Sequence, residues 1–324
     1  EEQFGGALHH FTGSKDHNIA LRRVAQDRGW KLSEYGLFDG ERRLAGADEA
    51  DVYARLGLRW IPPELREARG EIDAARHDRL PRLLEPDDIR GDLQMHTTAS
   101  DGRQSIAAMA RAARDLGREY IAITDHSQRV RVAGGLDDDA CLAHADAIRE
   151  VDAEIEGIRL LAGIEVDILR DGTLDLAHDT LRALDWVVAA VHLDRDLPPD
   201  VMTERIVAGV ESGVVHCLAH PLGRIIGQRD PMAFDTERVF AACAASGVCV
   251  EINAQPDRLD LPDIHCRQAR DAGVTFTIAT DAHTTDDLDF MRHGVAVARR
   301  GWLEKADVLN TRTVRQMRQW LQER

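Results

Sequence analysis

The sequence lacks any hydrophobic run near the ~18–20 residues that a transmembrane helix requires. Its first residues, Glu1-Glu2-Gln3-Phe4, also lack the basic region and apolar segment of a secretory signal. We therefore expect a cytoplasmic protein with no membrane partner. The initiator methionine is missing as well, which suggests a piece of a longer chain.

Paired cysteines and an excess of positive charge are also absent. The five cysteines are an odd number without a Cys-x-x-Cys pair, so we expect reduced core residues rather than a disulfide framework. The formal net charge of −16 at pH 7 argues against a generic nucleic-acid coat, because phosphate binding usually needs a basic face. A local cluster of cations could still reverse that sign.

Beyond residue 90, apolar runs rich in Val, Ile and Ala alternate with helical patterns. Such alternation predicts a parallel sheet covered by helices. The predicted strands are 92–96, 119–126, 159–165, 186–192, 215–220, 248–253 and 274–281, and the predicted helices are about 104–117, 138–156, 174–183, 200–212, 234–246, 261–272 and 286–300. A final helix, about 311–322, carries Val314, Met317, Trp320 and Leu321 at a spacing typical of core packing.

Nearly every predicted strand ends in a His, Asp or Glu residue. The stretch Gly91–Gly102 alone holds three metal-capable side chains. Because side chains from nearly every strand must meet at one point, an α/β fold with a distorted seven-stranded (β/α)7 barrel is favoured over an open doubly wound sheet. Function is then expected at the mouth of the barrel.

Five of the fourteen histidines follow apolar strands, and the others are interpreted as structural or surface residues. The five are His96, His126, His192, His220 and His283. Together with nearby carboxylates they predict a metal site. Imidazole and carboxylate ligands suit Zn²⁺, Mn²⁺ or Fe²⁺, and the lack of cysteine ligands argues against a closed structural zinc site.

The first eighty residues predict a separate α+β module. Phe11-Thr12-Gly13-Ser14 is a turn that caps a helix, Trp30–Gly40 reads as a strand with a turn at Asp39-Gly40, and Ala50–Gly57 reads as a short helix. These segments, with Glu34-Tyr35-Gly36 and Trp60–Glu64, resemble the thumb of family X DNA polymerases. That resemblance implies that Asn18 and Arg22 contact the nucleotide or template pair; the alternative is a docking module only.

Residues 66–90 alternate charges and contain Pro81 and Pro86, which predicts a charged helix leading into a linker. We predict a thumb-like domain at 1–80, a linker at 81–90 and a metal-dependent domain at 91–324. The paired palm aspartates of the polymerase family are not in the sequence, so polymerisation is not expected.

Residues 91–324 resemble the polymerase and histidinol phosphatase (PHP) superfamily. Its motifs match at Thr124-Asp125-His126, Gly163-Ile164-Glu165, His220-Pro221 and Thr280-Asp281-Ala282-His283. The resemblance implies two to three divalent ions. It assigns His96, Glu165 and Asp281 to the first ion, Glu165, His192 and His220 to the second, and Asp101, His126 and His283 to the third, with Glu165, His192 and Asp281 central to catalysis.

Gln94 departs from the family motif, which has His at this position. An amide oxygen is a weaker and harder ligand than imidazole, which would loosen the first ion or favour Mn²⁺. Either Gln94 coordinates or water takes its place; we expect coordination. Arg129, Arg131, Arg224 and Arg229 lie on loops after the predicted strands and suit an anionic substrate, unless they form surface ion pairs.

A thumb followed by a PHP domain resembles the C-terminal end of bacterial and archaeal family X DNA polymerases. This implies Mn²⁺-dependent 3′→5′ exonuclease and abasic-site or 3′-end processing in base excision repair. The expected partners are single-stranded or gapped DNA 3′ ends and the N-terminal polymerase domains of the parent chain. A histidinol-phosphatase-like enzyme and an inactive structural domain are the alternatives.

Overall fold

The computed structural model describes residues 2–323 and divides the chain into two compact units, Glu1–Arg82 and Leu83–Arg324. None of the helices within residues 2–323 has the length and apolar character needed to cross a bilayer. All five cysteines are buried and free, as the sequence predicts.

The first unit packs four helices around a three-stranded antiparallel meander. Its elements are α1 (Phe4–Thr12), α2 (Lys15–Gln26), β1 (Lys31–Ser33), β2 (Gly36–Asp39), β3 (Arg42–Ala45), α3 (Glu49–Arg55) and α4 (Glu71–Arg76). The predicted single strand at Trp30–Gly40 is two strands, because the chain turns before Gly36. Gly36 has φ 121°, a left-handed conformation that favours glycine.

The charged helix predicted to lead into the linker within residues 66–90 is much shorter than expected. Only α4 is helical there, together with a short 3₁₀ turn at Pro86–Asp88. Gly70 at φ 100° and Asp78 at φ 57° interrupt the helical backbone on either side of α4. The alternating charges therefore belong mostly to irregular backbone.

His9 makes the stability of the first unit dependent on pH. Its side chain is buried, and Nδ1 has no hydrogen-bond partner within the described residues. Burial, aided by His17 and Arg66, lowers the pKa of His9 to about 3. Since the unfolded chain has a histidine pKa near ~6.5, it binds a proton that the folded unit does not. The free energy of unfolding therefore decreases as the pH falls from ~6.5, the pKa in the unfolded chain, to about 3, the pKa in the folded unit.

Between pH 7 and pH 5, His9 should lower the free energy of unfolding of the first unit by about 2 kcal/mol. Amide hydrogen exchange of α1 and α2 at the two pH values measures this change. His9→Phe should remove that part of the pH dependence, whereas the exposed His77→Phe should retain it. An unchanged pH dependence in His9→Phe would contradict the prediction.

The second unit is a parallel barrel wrapped by helices. Its strands are β4 (Gly91–Asp92), β5 (Tyr120–Ile123), β6 (Arg159–Asp167), β7 (Trp186–Ala190), β8 (Cys217–Leu218), β9 (Cys249–Asn253) and β10 (Phe276–Ala279). Its helices are α5 (Ile106–Asp115), α6 (Asp138–Glu154), α7 (His178–Arg182), α8 (Pro199–Val210), α9 (Thr236–Ser246), α10 (Asp263–Asp271), α11 (Met291–Arg300) and α12 (Val314–Gln322). The sheet order runs from β10 in sequence back to β4, with every pair parallel. This confirms the predicted seven-stranded barrel.

The barrel closes between β4 and β10 without a continuous ladder. A single parallel bridge joins Met95 to Ala282 just beyond the two strands. Below it, the Asn310 amide donates to the carbonyl oxygens of Gly91 and Ile278, both at 2.8 Å, and its Oδ1 accepts from the Ile278 amide at 3.0 Å. One side chain thus substitutes for missing ladder bonds, and the barrel is distorted at this seam.

Two hydrophobic layers fix the strands. The outer layer lies between the sheet and its helices, and the inner layer fills the barrel with side chains such as Leu93, Trp186 and Val188. Helix α12 packs against the inner layer through Val314, Met317, Trp320 and Leu321, as the sequence predicts. Because the strands are parallel, all their C-terminal ends meet at one mouth.

Candidate metal centre

The predicted ligands converge at that mouth because each follows or ends a strand. Gln94 and His96 follow β4, His126 follows β5, Glu165 lies in β6, His192 follows β7, His220 follows β8, and Asp281 and His283 follow β10. Asp101 comes from the loop after β4. The structure therefore brings ligand-type side chains from six of the seven strand ends to one place.

Glu165 is the centre of this arrangement. Its carboxylate is 1% exposed and lies 2.9 Å from His220 Nε2, 3.0 Å from His126 Nδ1 and 3.5 Å from His192 Nε2. His96 Nε2 is 3.7 Å away, and Gln94 Nε2 donates to Glu165 Oε1 at 3.2 Å. Glu165 is thus placed to bridge neighbouring cations.

A second grouping surrounds Asp101. Its carboxylate lies 3.4 Å from His283 Nε2, 3.6 Å from His126 Nε2 and 3.8 Å from His96 Nδ1. One ligand atom from each of these four residues lies within 4.8 Å of the others, and the same holds for His126, Glu165 and His192. His126 belongs to both groupings, although the family resemblance assigns it to the third ion alone.

His96 and Asp281 form the remaining contact of the set, with Nε2 and Oδ1 2.9 Å apart. Asp281 is nearly fully buried and has φ 51°, and His220 has φ 24°. Left-handed backbone at non-glycine residues is costly and persists where surrounding structure imposes it. Two of the predicted ligands are therefore held in strained backbone at the mouth.

The carboxylates of the site stay ionised despite their burial. Burial alone would raise the pKa of Glu165, but His192 and His126 outweigh it and hold that pKa well below its usual range. The pKa of Asp281 is likewise lowered against burial, chiefly by His96, and that of Asp101 by His126 and His283. In return, Glu165 raises the pKa of His192 to about 9, again against burial.

The donor set fits divalent cations. Several buried nitrogen and oxygen atoms at the mouth, all of types that bind metals, have no hydrogen-bond partner among residues 2–323. These are Nδ1 of His96, His126, His192 and His220, and Oε2 of Glu165. His126 Nδ1 and Glu165 Oε2 lie 3.0 Å apart without forming a hydrogen bond. Buried polar atoms are normally paired, and imidazole with carboxylate is the set that Zn²⁺, Mn²⁺ and Fe²⁺ bind.

Three acidic residues to which the sequence analysis gives no role hold the candidate ligands in place. Asp125 accepts hydrogen bonds from the amides and hydroxyls of Thr97 and Ser100 and lies 2.8 Å from His144 Nε2, which fixes the loop that carries Asp101. Asp167 accepts from the His192 amide at 2.9 Å. Glu251 accepts from the His220 amide at 2.6 Å.

The four predicted substrate arginines differ in their surroundings. Arg129 lies 3.4 Å from Asp194 Oδ2, and Arg131 is exposed. Arg224 donates to the carbonyl oxygens of Arg258 and Leu259, and Arg229 donates to that of Gly223. Asn253 is buried and donates to Asp281 Oδ2 at 3.0 Å.

In the first unit, Asn18 and Arg22 lie beside the turn between α1 and α2. The amide nitrogen of Asn18 donates to the carbonyl oxygens of His10, Gly13 and Ser14, so it stabilises this turn. Arg22 Nη2 lies 3.3 Å from His10 Nδ1. Their contact with a nucleotide stays a prediction.

Comparison with known proteins agrees with both units. Residues 7–67 match the family model of the DNA polymerase beta thumb, and residues 92–255 match that of the PHP domain. The DNA polymerase/3′-5′ exonuclease PolX of Bacillus subtilis (strain 168) is 42% identical over 324 residues, covering 99% of this chain and 56% of the relative. The chain thus spans about half the length of that relative.

Two further comparisons involve the second unit. A probable phosphatase of Thermoanaerobacter sp. (strain X514) is 27% identical over 244 residues, covering 72% of this chain and 94% of the relative. A histidinol phosphate phosphatase structure from Lactococcus lactis, solved with zinc, L-histidinol and phosphate, has a TM-score of 0.46 at 14% identity and covers 64% of this chain and 93% of that chain. Since the PHP domain model matches half of the sequence, the chain belongs to the PHP domain family, whose fold is a metal-dependent phosphoesterase fold.

Proposed function

We propose that this chain is a metal-dependent 3′→5′ exonuclease that also processes 3′ ends and abasic sites in DNA, within a family X polymerase. The observation that carries the proposal is the gathering of histidines and carboxylates around Glu165, in a chain that also contains a thumb-like unit. The 42% identity to a relative named as a polymerase and 3′-5′ exonuclease supports the choice of DNA as substrate.

Gln94, His96, Glu165 and Asp281 would hold one cation, and Glu165, His192 and His220 a second. Asp101, His126 and His283 would hold a third. Bound in this way, such ions activate water and neutralise the charge of a phosphate during in-line displacement. We infer that Mn²⁺ or Zn²⁺ fills these positions, with Fe²⁺ also compatible with the ligands.

The remaining side chains orient the substrate and the ligands. Asp167 and Glu251 fix the backbone of His192 and His220, so the imidazoles meet Glu165 without rearrangement. Arg129 and Arg131 on the loop after β5, and Arg229 on the loop after β8, supply positive charge for DNA 3′ ends, single-stranded or gapped. The N-terminal polymerase domains of the parent chain would be the physical partner.

A nuclease assay with Mn²⁺ tests this function. A 3′-labelled oligonucleotide should release labelled mononucleotide at the start of the reaction, while a 5′-labelled copy should shorten stepwise. Histidinol phosphate should be the poorer substrate. Faster hydrolysis of histidinol phosphate, with both oligonucleotides intact, would instead establish the small-molecule phosphatase that the match to a probable phosphatase favours.

Replacing Gln94 with His should tighten metal binding. Gln94 is 1% exposed and reaches Glu165, so an imidazole at this position would add a stronger ligand to the first cation. We expect the Mn²⁺ dissociation constant to fall about tenfold or more, measured by calorimetric titration of metal-free protein. Absence of hydrolysis in both proteins, with Mn²⁺ bound, would favour a structural PHP domain.

A further inference from the structure

We propose that Arg195, Arg229 and Arg258 form a second anion subsite, which holds a non-scissile phosphate of the substrate strand. We call these three residues the arginine cluster. The inference rests on the proposed function and extends it: the preferred substrate must carry at least two phosphates, one at the metal centre and one at the arginine cluster.

The cluster is assembled by three neighbouring loops. Arg195 follows β7, Arg229 follows β8 and Arg258 follows β9. Arg195 Nη2 donates to the Leu222 carbonyl oxygen at 3.3 Å, and Arg229 Nε donates to that of Gly223 at 3.0 Å. Both guanidinium groups therefore flank the same turn.

Other contacts tie the loop of Arg258 to that turn. Arg224 donates to the carbonyl oxygens of Arg258 and Leu259, and the Ile226 amide donates to the Asp257 carbonyl oxygen at 2.6 Å. Asp260 Oδ1 accepts from the Leu222 amide at 3.3 Å. Hydrogen bonds to backbone therefore hold the side chains of Arg195 and Arg229 at this turn, and they hold the loop of Arg258 against it.

The positive charges of the cluster oppose one another. Burial, together with Arg229 and Arg258, lowers the pKa of Arg195 to about 10, and burial with Arg258 lowers that of Arg229. Asp257, Asp260 and Asp281 are the acidic groups that face the cluster. They are fewer than the arginines once Arg224 is included, so an anion would relieve the repulsion.

Two donors of the cluster have no partner. Arg195 Nε and Arg258 Nη1 are buried and make no hydrogen bond within the described part of the chain. Guanidinium donors bind phosphate oxygens in pairs and are costly to leave unpaired. A phosphate oxygen has the charge and the acceptor character that these two unpaired donors lack.

The cluster lies beside the metal centre and not within it. Arg258 Nε is 3.8 Å from Asp281 Oδ2, and burial together with the charge of Arg258 lowers the pKa of His220. The contacts of Arg195 and Arg229 within residues 2–323 are with the turn after His220 and not with the ligand side chains. A phosphate there would be adjacent to the one undergoing hydrolysis, as in consecutive nucleotides of a strand.

Comparison of two substrates tests the subsite, using the full chain with Mn²⁺. One substrate is the p-nitrophenyl ester of thymidine 5′-monophosphate, which has a single phosphate, and the other is a single-stranded oligothymidylate. Arg195→Ala and Arg229→Ala should each lower kcat/KM for the oligonucleotide about tenfold more than for the ester, mainly through KM. Arg111→Ala, on the exposed face of α5, is the matched control and should leave kcat/KM unchanged for both substrates.

Salt dependence supplies a second readout that a merely structural role would not move. Loss of one phosphate contact should reduce the slope of log kcat/KM against log salt by about 0.7 for the oligonucleotide, whereas Arg195→Lys should retain the slope. Equal losses on both substrates, or an unchanged slope in both alanine variants, would overturn the second subsite while exonuclease activity stands. Hydrolysis of the ester alone by the unaltered chain would overturn both proposals.

Discussion

Glu165→Gln should lower phosphoester hydrolysis by about a thousandfold or more, which corresponds to roughly 4 kcal/mol of barrier. The reason is that the Glu165 carboxylate contacts four histidines and is the shared element of the proposed first and second cation positions. An amide of the same size removes the bridging charge and also places a hydrogen-bond donor among imidazoles. Steady-state hydrolysis with Mn²⁺, together with bound metal measured by elemental analysis, checks both consequences.

The matched control is Glu237→Gln in the exposed first turn of α9, which should keep full activity and metal content. Thermal unfolding in the presence of a chelator separates loss of metal from loss of fold. Both proteins are then metal-free, so any remaining difference in stability comes from the substitution itself. Retention of the full metal content and of more than about a tenth of the activity in Glu165→Gln would contradict the bridging role.

The convergence of the candidate metal ligands could be predicted because their positions follow from sequence-local signals. All but Asp101 follow or lie within an apolar run long enough to be recognised as a buried strand, and parallel strands bring their C-terminal ends together. Glu165 and His192 are examples: neither is informative alone, yet both stand at the same edge of one sheet. The barrel and its mouth were thus accessible from spacing and family motifs.

The supporting residues could not be predicted in the same way. Asp167 was detectable only as a residue two positions after Glu165, on the same face of β6. Arg195 and Arg258 belong to loops whose paths depend on tertiary contacts such as those of Leu222 and Asp260. Loops have no periodic sequence pattern. Tertiary packing therefore decides which loop side chains meet, and the sequence alone does not indicate it.

The closure of the barrel shows a similar limit. The predicted strands at 92–96 and 274–281 are much longer than β4 and β10, because beyond Asp92 the chain no longer pairs as a regular ladder. Asp92 accepts from the Thr280 amide and hydroxyl, and Asn310 joins both strands. Side-chain hydrogen bonds thus hold the lower part of the seam, and at the mouth the backbone amides of His96 and Asp281 donate to the carbonyl oxygens of Ala282 and Gln94 at 2.8 Å and 3.1 Å.

Arg66→Met should destabilise the first unit by about 3–5 kcal/mol, the cost of breaking a buried ion pair. The Arg66 side chain is fully buried, and its Nη1 donates to Glu49 Oε1 at 2.6 Å and to Thr12 Oγ1 at 2.5 Å. Nε donates to the Ile61 carbonyl oxygen at 2.9 Å. Removing the guanidinium therefore leaves the Glu49 carboxylate buried without its cation and frees the turn that precedes α2.

Amide hydrogen exchange of α1 and α2 in the full chain measures this change without requiring the unit to fold alone. Arg55→Met is the matched control, since Arg55 is 57% exposed in its ion pair with Asp51 and should cost less than about 1 kcal/mol. Adding Glu49→Gln to Arg66→Met should recover part of the lost stability, because it removes the stranded charge. If the double variant is less stable than Arg66→Met alone, the guanidinium acts through packing on Tyr53 and Trp60 and not through the buried charge.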